Sequence, residues 1–373
     1  MSLATRRHPE PHAHAAHHAH PAAGASTLHA ISTKHAVLHA SSFAASRASI
    51  EAARKHGGLQ PVSLGHLPLN QSYVPHTNDS GMTHRKPAGF EWDHTDQTTR
   101  AWWPQGITTS SDAEASGKVD GRKWAAVTWH AGNGKRARIS FADVTNPNDP
   151  ATAKYRHVEL MVPDTKHPGH LEPLPIHVGG VSWVGHYMYV ADTHGGLRVF
   201  DMNQLSKLTK PGIAPKGTLP YVLPEIGAYK LPAHARHEAG TPVFSGLSLD
   251  RKTGQLVSQE FRGGRAGGNI VSWPIDVKTG LLRSHHGTVH ASHEWASPVK
   301  SMAGVLPRGD GFDIVQMGRP HSHLWHVGMH KHGTEKDTLA RGAQQFSWDA
   351  QLQQIWSLGE MPGHRAVWHF KPE

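Results

Sequence analysis

The chain has 373 residues, a formal net charge of +9, 34 histidines and no cysteine. Without cysteine, disulfides and thiolate catalysis are excluded, and because no apolar run approaches the ~18 residues of a membrane-spanning helix, the sequence predicts no transmembrane segment. The positive charge suits an acidic polymer or a glycan as a partner. Lysine and arginine are dispersed without a basic run, however, and no nucleic-acid-binding module is recognisable, which argues against nucleic acid.

Residues 1–58 predict a low-complexity leader rich in histidine and alanine. They hold too little Leu, Ile and Phe for a core, so we expect most of them to be disordered or docked on a partner. Residues 42–55 are alanine-rich and could form a short helix. No apolar stretch of about 7–15 residues follows Arg6 and Arg7, so the secretory-signal pattern is missing. Six histidines could bind zinc, copper or nickel loosely: His8, His12, His14, His17, His18 and His20.

Residues 59–373 predict one domain built from a repeated unit. Residues 65–92 contain a lone strand, at 89–92, which either closes a ring or belongs to a sixth unit. Five copies of the unit then follow, each with three short strands rich in Val, Ile, Trp, Tyr and Phe and bounded by Gly, Asp, Asn or Pro. Their first strands begin at Gly106, Gly180, Gly246, Ala303 and Phe346.

The second copy, residues 179–202, shows the pattern most fully. It has three apolar runs separated by glycine-rich or histidine-rich turns, and in residues 197–200 the side chains alternate as in a strand with one buried face. Sequential antiparallel strands that recur along the chain favour an all-β fold, a single β-propeller of five blades. The alternatives are six blades, or a β-sandwich whose strands merely resemble one another.

Four segments, 103–108, 176–183, 189–201 and 355–367, resemble uncharacterised secreted β-propeller proteins of Streptomyces-type actinobacteria. The stretch at 192–201 alone is similar to the LVIVD-type propeller repeat. The resemblance extends over residues 89–370. It implies a propeller fold and an extracellular or cell-surface location, but no reaction. Because the secretory-signal pattern is missing, a cytoplasmic location is the alternative.

The copies, aligned as blades, predict a ring of polar residues at one mouth of a central channel, where propellers usually have their site. Buried polar groups of this kind must be paired, hydrated or bound to metal. The first strands contribute Gln105, His177, Ser245, Ser301 and Gln345 at their starts. The second strands contribute His130, Asp192, Glu260, Arg319 and Glu360 at their ends, and His194 follows closely.

Because the chain has no recognisable catalytic motif, the sequence favours a non-enzymatic protein that binds a ligand or a macromolecular partner at this mouth. The predicted ligand-binding residues are Gln105, His177, His194 and Arg319.

Two other classes of function stay open. As a glycan-directed hydrolase or lyase, the protein would use Asp192, Glu260 and Glu360 as acid, base and transition-state stabiliser. As a metal enzyme, it would bind a divalent ion through His130, His177 and His194. A third reading is a structural or assembly protein whose leader docks into a neighbour. Beyond a divalent metal ion, no cofactor is predicted.

Overall fold

The computed structural model describes residues 27–76, 81–233, 240–263 and 267–372. Three α-helices form within these residues, α1 (Phe43–Lys55), α2 (His94–Thr98) and α3 (Ser110–Ala113). None of the described helices is long and apolar enough to cross a membrane. The strands of the first half are β1 (His29–Ala30), β2 (Val37–Ala40), β3 (Leu59–Pro61), β4 (Gln71–Ser72), β5 (Val74–His76), β6 (Ala88–Glu91), β7 (Trp102–Thr109), β8 (Trp124–Ala131), β9 (Ala137–Asp143), β10 (Lys154–Pro163), β11 (Leu171–Pro173), β12 (Val178–Val184), β13 (Tyr187–Asp192) and β14 (Gly196–Asp201).

The second half continues the same pattern of short strands joined by turns. Its strands are β15 (Ser206–Leu208), β16 (Tyr221–Lys230), β17 (Gly246–Asp250), β18 (Gln255–Gln259), β19 (Gly267–Pro274), β20 (Thr288–His290), β21 (His293–Lys300), β22 (Met302–Arg308), β23 (Gly311–Gln316), β24 (Ser322–Gly328), β25 (Thr334–Leu339), β26 (Ser347–Asp349), β27 (Gln354–Leu358) and β28 (Ala366–Phe370).

Most strands pair antiparallel with their neighbours in sequence, which confirms the predicted all-β, propeller-like fold. β7, β8, β9 and β10 pair in that order, as do β12, β13, β14 and β16, and a parallel pairing of β10 with β16 joins both series in one 14-stranded sheet. Separate sheets hold β17-β18-β19-β21-β1, β22-β23-β24-β25 and β26-β27-β28-β6-β5. The lone strand predicted at residues 89–92 corresponds to β6, which pairs with β28 near the C-terminus.

The first strands of the series pack so closely that only glycine fits at their contacts. A Cβ atom added to Gly106 would lie 2.6 Å from the amide nitrogen of Val181, and one added to Gly180 would lie 2.6 Å from that of Leu247. Real Cβ atoms essentially never approach other atoms so closely. The glycines that begin the repeated units therefore allow the first strands to converge.

The side-chain amide of Gln345 fills the space between these strands. Its Oε1 accepts a hydrogen bond from the Val181 amide at 2.9 Å. Its Nε2 carries two N–H groups, which three carbonyl oxygens share: those of Ile107 at 2.9 Å and Val181 at 2.6 Å, and that of Leu247. The predicted central channel is therefore closed at the level of Gln345, because its amide satisfies backbone groups that would otherwise face an empty axis.

Large aromatic side chains fill the spaces between neighbouring series of strands. Trp183 is 1% exposed and makes an edge contact with Phe141 of β9, with the ring centroids 6.2 Å apart. Trp124, Trp129 and Trp273 are also fully buried. These tryptophans pack the sheets together and are not available to a ligand.

The predicted leader is partly built into the domain, which differs from the expectation of disorder. β1 pairs with β21, and β2 pairs with β16 and β20. α1 confirms the helix predicted over residues 42–55: the Ser42 hydroxyl accepts from the Ala45 amide at 3.3 Å, and Ile50 and Ala53 are buried. Free edges of outer strands offer these residues backbone hydrogen bonds, which composition does not reveal. Residues 1–26, with the six histidines proposed to bind metal, lie outside the described residues.

Replacing Gly227 with alanine should loosen α1 from the sheet. An added Cβ would lie 2.6 Å from the Phe43 ring, so this ring must move. We expect amide hydrogen exchange in Phe43–Lys55 to become roughly tenfold faster while β7–β9 keep their protection. Exchange measured by mass spectrometry checks this, with Gly263→Ala as the control because its added Cβ would meet nothing within 4 Å. Unchanged protection of α1 would contradict the contact.

Candidate functional site

Three of the predicted histidines lie together at the mouth where the first strands begin. The rings of His130, at the end of β8, and His177, just before β12, have centroids 4.3 Å apart and planes inclined by 39°. Burial among protein atoms lowers the pKa of His177 to about 4, and His130 and His194 add to this by disfavouring a further positive charge. Burial likewise lowers the pKa of His130. These two imidazoles are therefore neutral at pH 7.

The same geometry does not support the metal site predicted for these histidines. The His130 and His177 rings pack against each other, and the Nδ1 atoms lie 3.0 Å from the Ala131 carbonyl oxygen and the Thr193 hydroxyl, respectively. Across the described ranges, no three His, Asp or Glu side chains are grouped so as to hold a metal ion. Alignment of the repeated units predicted that His130 and His177 lie at the same mouth, but it could not predict how their rings face one another.

Asp192, one of the three predicted catalytic carboxylates, is held in an ion-pair network. It accepts hydrogen bonds from Arg198 Nε at 3.0 Å and Nη2 at 2.7 Å. Arg198 also donates to Glu225 through Nη1 at 3.2 Å. Because Asp192 is buried and its charge is matched by a guanidinium from the next strand, its role is to tie β13, β14 and β16 together.

Glu260 belongs to a second buried cluster, which includes an acid that sequence reasoning missed. Its Oε2 lies 2.9 Å from Arg262 Nε and accepts from the Asn269 amide at 3.3 Å. The Asn269 side chain donates to Glu294 at 2.8 Å. Burial, aided by the nearby Glu260, raises the pKa of Glu294 to about 7. Glu294 is the second residue of β21, a strand that the alignment of the repeated units did not include, so the alignment gave no reason to select it.

Glu360, the third carboxylate, lies between two glutamines. Gln344 donates to its Oε2 at 2.8 Å, and Gln105 donates to the same atom. Burial raises the pKa of Glu360 to about 7, against the opposing effects of Gln105, Arg365 and Gln344. Gln105, predicted to bind ligand, is therefore occupied by Glu360. No hydrogen bond joins Asp192, Glu260 and Glu360 to one another, so the predicted catalytic set is dispersed among separate partners.

A cavity of about 200 Å³ opens at this mouth, and we call it the mouth pocket. Five loops form it: those after β18, before β22, after β23, before β26 and after β27. Of the predicted site residues, Ser301 and Arg319 line it, whereas His177 and His194 do not. Its lining residues are Phe261, Ser301, Met317, Gly318, Arg319, Arg341, Gly342 and Met361.

Backbone hydrogen bonds connect these loops into one wall. Ser301 has a φ of 50°, in the left-handed region, and both its amide and its hydroxyl donate to the Arg262 carbonyl, at 3.1 and 3.3 Å. The Ser301 carbonyl accepts from the Met317 amide at 2.9 Å. On the other side, the Glu360 amide donates to the Gly342 carbonyl at 3.0 Å. The pocket is thus supported by neighbouring sheets and does not depend on a single loop.

The arginines near the mouth pocket differ in whether their charge is already matched. Arg262 pairs with Glu260, and the buried Arg365 donates to the carbonyls of Glu360, Asp96 and Trp102. Arg319 and Arg341 are exposed, and neither forms an ion pair or side-chain hydrogen bond with another described residue. Arg341 lies several residues before β26, the first strand of the fifth series, and outside the positions that the alignment selected.

A buried Ser–His–Asp arrangement elsewhere in the domain is structural. Ser140 Oγ lies 2.7 Å from His157 Nδ1, and His157 Nε2 lies 2.7 Å from Asp96 Oδ2. Ser140 is 0% exposed, so no substrate can reach its hydroxyl. Asp96 also accepts from Arg138 at 2.6 Å and Tyr155 at 2.5 Å, which makes this carboxylate the centre of a network joining α2 to β9 and β10.

No family model and no curated protein matches the chain. Among solved structures, a gluconolactonase from Xanthomonas campestris is 11% identical, with 84% of this chain and 100% of that chain covered and a TM-score of 0.34. The β-propeller domain of Cps50 (Swd1) from Myceliophteria thermophila is 9% identical, with 85% and 99% covered and a TM-score of 0.34. A luciferin-regenerating enzyme is 6% identical, with 81% and 96% covered and a TM-score of 0.36. At this level of similarity, none of their activities extends to this chain.

Proposed function

We propose that the protein is a five-bladed propeller that binds a ligand in the mouth pocket. The five antiparallel series that begin with β7, β12, β17, β22 and β26 would each form one blade, and β6 would complete the last by pairing with β28. Pairing of an early strand with the final strand joins the beginning of the domain to its end, as a closed ring requires. The resemblance to secreted actinobacterial propellers adds an extracellular or cell-surface location to this proposal.

The observation that carries the binding proposal is a cavity lined by the exposed guanidinium groups of Arg319 and Arg341. Gln345 closes the axis, so a ligand would contact the loops at the mouth and not the channel. Arg319 and Arg341 supply hydrogen-bond donors that the described protein residues leave unused. Concave sites with a few convergent polar groups and apolar walls are typical of small-molecule binding.

We propose binding in preference to hydrolysis because the carboxylates predicted for catalysis are committed to other groups. Asp192 is paired with Arg198, and Glu260 is paired with Arg262. A glycosidase needs two carboxyl groups facing one bond, separated by about 5–9.5 Å. Glu360 adjoins the mouth pocket through Met361 and Gly342, but its oxygen is engaged by glutamines from within the protein.

Replacing Met361 with tryptophan should fill the mouth pocket and prevent binding. Wild-type protein would be incubated with a bacterial small-molecule extract and examined by native mass spectrometry. We expect at least one small molecule to remain bound to the wild type and its occupancy to fall more than tenfold in Met361→Trp, because the larger indole occupies the cavity.

The matched control is Val277→Trp, which adds an indole at a side chain that is 84% exposed and outside the pocket. This variant should retain the ligand. If Met361→Trp and Val277→Trp retain the same molecules as the wild type, or if the wild type retains none, the binding proposal is wrong.

A further inference from the structure

We infer that the ligand of the mouth pocket is a compact molecule with an oxyanion, a carboxylate or a phosphate ester, attached to an apolar body. The oxyanion would be bound by the guanidinium groups of Arg319 and Arg341. This inference rests on the proposed function and specifies the chemical class that the pocket would select.

The charge of the pocket carries the first part of the inference. Arg262 is matched by Glu260 at 2.9 Å, and Arg365 is enclosed by backbone carbonyls. Arg319 and Arg341 are therefore the lining cations whose charge no described carboxylate balances. A guanidinium presents several N–H donors in a plane, which suits the paired oxygens of a carboxylate or phosphate.

The acidic group next to this cavity does not cancel that charge fully. The Cγ of Glu360 lies 3.3 Å from the position of a Cβ added to Gly342, so this side chain adjoins the pocket wall. Burial raises the pKa of Glu360 to about 7, so this carboxyl group is uncharged in a substantial fraction of the molecules at neutral pH. Ligand oxyanions thus meet two positive groups and little opposing negative charge.

The remaining walls carry the second part of the inference. Phe261, Met317 and Met361 line the same cavity and are each half-buried. Thioether and aromatic side chains adapt to apolar groups of varied shape. At about 200 Å³, the cavity is below the ~300 Å³ typical of drug-sized pockets, which restricts the fully enclosed part of a ligand to a small group.

Isothermal titration of the full chain at pH 7 and low salt tests this inference. The probes are phenyl phosphate, benzoate, inorganic phosphate and the neutral benzamide. We expect phenyl phosphate or benzoate to bind at least tenfold more tightly than benzamide and than inorganic phosphate. The stronger of the two identifies the oxyanion. Arg319→Gln and Arg341→Gln should each raise the Kd of that probe about tenfold.

The control is Arg283→Gln, which removes one exposed positive charge from the loop after β19. It should leave the Kd unchanged, because a change in net charge alone does not alter the pocket. The oxyanion inference would be overturned if benzamide bound as tightly as phenyl phosphate and benzoate. It would also be overturned if the three arginine variants changed the Kd equally. Equal binding of inorganic phosphate and phenyl phosphate would overturn the apolar part.

The two proposals fail in different ways. Native mass spectrometry could find a neutral molecule bound to the wild type and to Arg319→Gln but not to Met361→Trp. That result would overturn the oxyanion inference and leave the pocket as a binding site. Failure of Met361→Trp to release any molecule would instead overturn the pocket itself.

Discussion

Gln345→Leu should lower the free energy of unfolding by about 3–5 kcal/mol. Leucine has nearly the size of glutamine but cannot bond to the backbone of Ile107, Val181 and Leu247. The Val181 amide and the three carbonyls that share the two N–H groups of Gln345 then lose a partner, and each lost hydrogen bond of a buried group costs about 1–3 kcal/mol, partly relieved by relaxation. Chemical denaturation followed by the fluorescence of the buried tryptophans measures the change.

Two further variants separate the bonding of Gln345 from its volume. Gln60→Leu makes the same chemical change at an exposed side chain of β3 and should alter stability by less than about 0.5 kcal/mol. Gln345→Glu keeps the length of the side chain but directs oxygens towards the carbonyls that received N–H bonds, so it should be destabilising too. Full stability of Gln345→Leu would show that the axis does not depend on this amide.

Asp96→Asn should also destabilise the protein, by about 3–5 kcal/mol. Asp96 is 3% exposed and accepts from Arg138 at 2.6 Å, His157 at 2.7 Å and Tyr155 at 2.5 Å. Arg138 is itself buried, so neutralising Asp96 leaves a buried positive charge without its counterion, and this is among the costliest kinds of substitution. Thermal and denaturant unfolding would report the loss, with the exposed Glu172→Gln as the control.

The pH dependence of this difference provides an independent check. Burial opposes ionisation of Asp96, but the hydrogen bond from His157, the charge of Arg138 and the hydrogen bond from Tyr155 outweigh it, so the pKa of Asp96 lies well below the usual 3.8. A carboxyl group with a lowered pKa contributes stability above its unfolded-state pKa and loses it as pH falls further. The gap between wild type and Asp96→Asn should therefore be largest above about pH 5 and narrow on acidification below about pH 4. A constant gap would contradict this assignment of charge.

The His157 ring is bonded to Asp96 but does not supply the positive charge that balances this carboxylate. Burial, and repulsion from Arg138, lower its pKa, so the ring is neutral at pH 7 despite its bond to Asp96. The positive charge that balances Asp96 therefore comes from Arg138. The Arg138 guanidinium lies over the rings of Trp102 and Trp129, at 4.4 and 4.9 Å, which compensates part of its loss of hydration.

The site shows where prediction from blade positions succeeds and where it stops. Equivalent positions of successive units come together, so His130 and His177 were expected to be neighbours and are. Whether such residues are available is another matter: Gln105 is bound to Glu360, 255 residues away in sequence. Arg341, which lines the mouth pocket, stands in a loop whose length differs between the units, so alignment could not select it.

By itself, the sequence determined the all-β fold, the first three strands of each repeated unit, the glycines at the starts of the first strands and the helix over residues 42–55. These properties follow from side-chain alternation, turn residues and composition, which act over a few residues. Only the tertiary structure decided that Gln345 closes the axis, that β1, β2 and α1 cover outer strands, and which charges are matched. Those outcomes depend on distances between atoms far apart in the chain, which local sequence patterns do not determine.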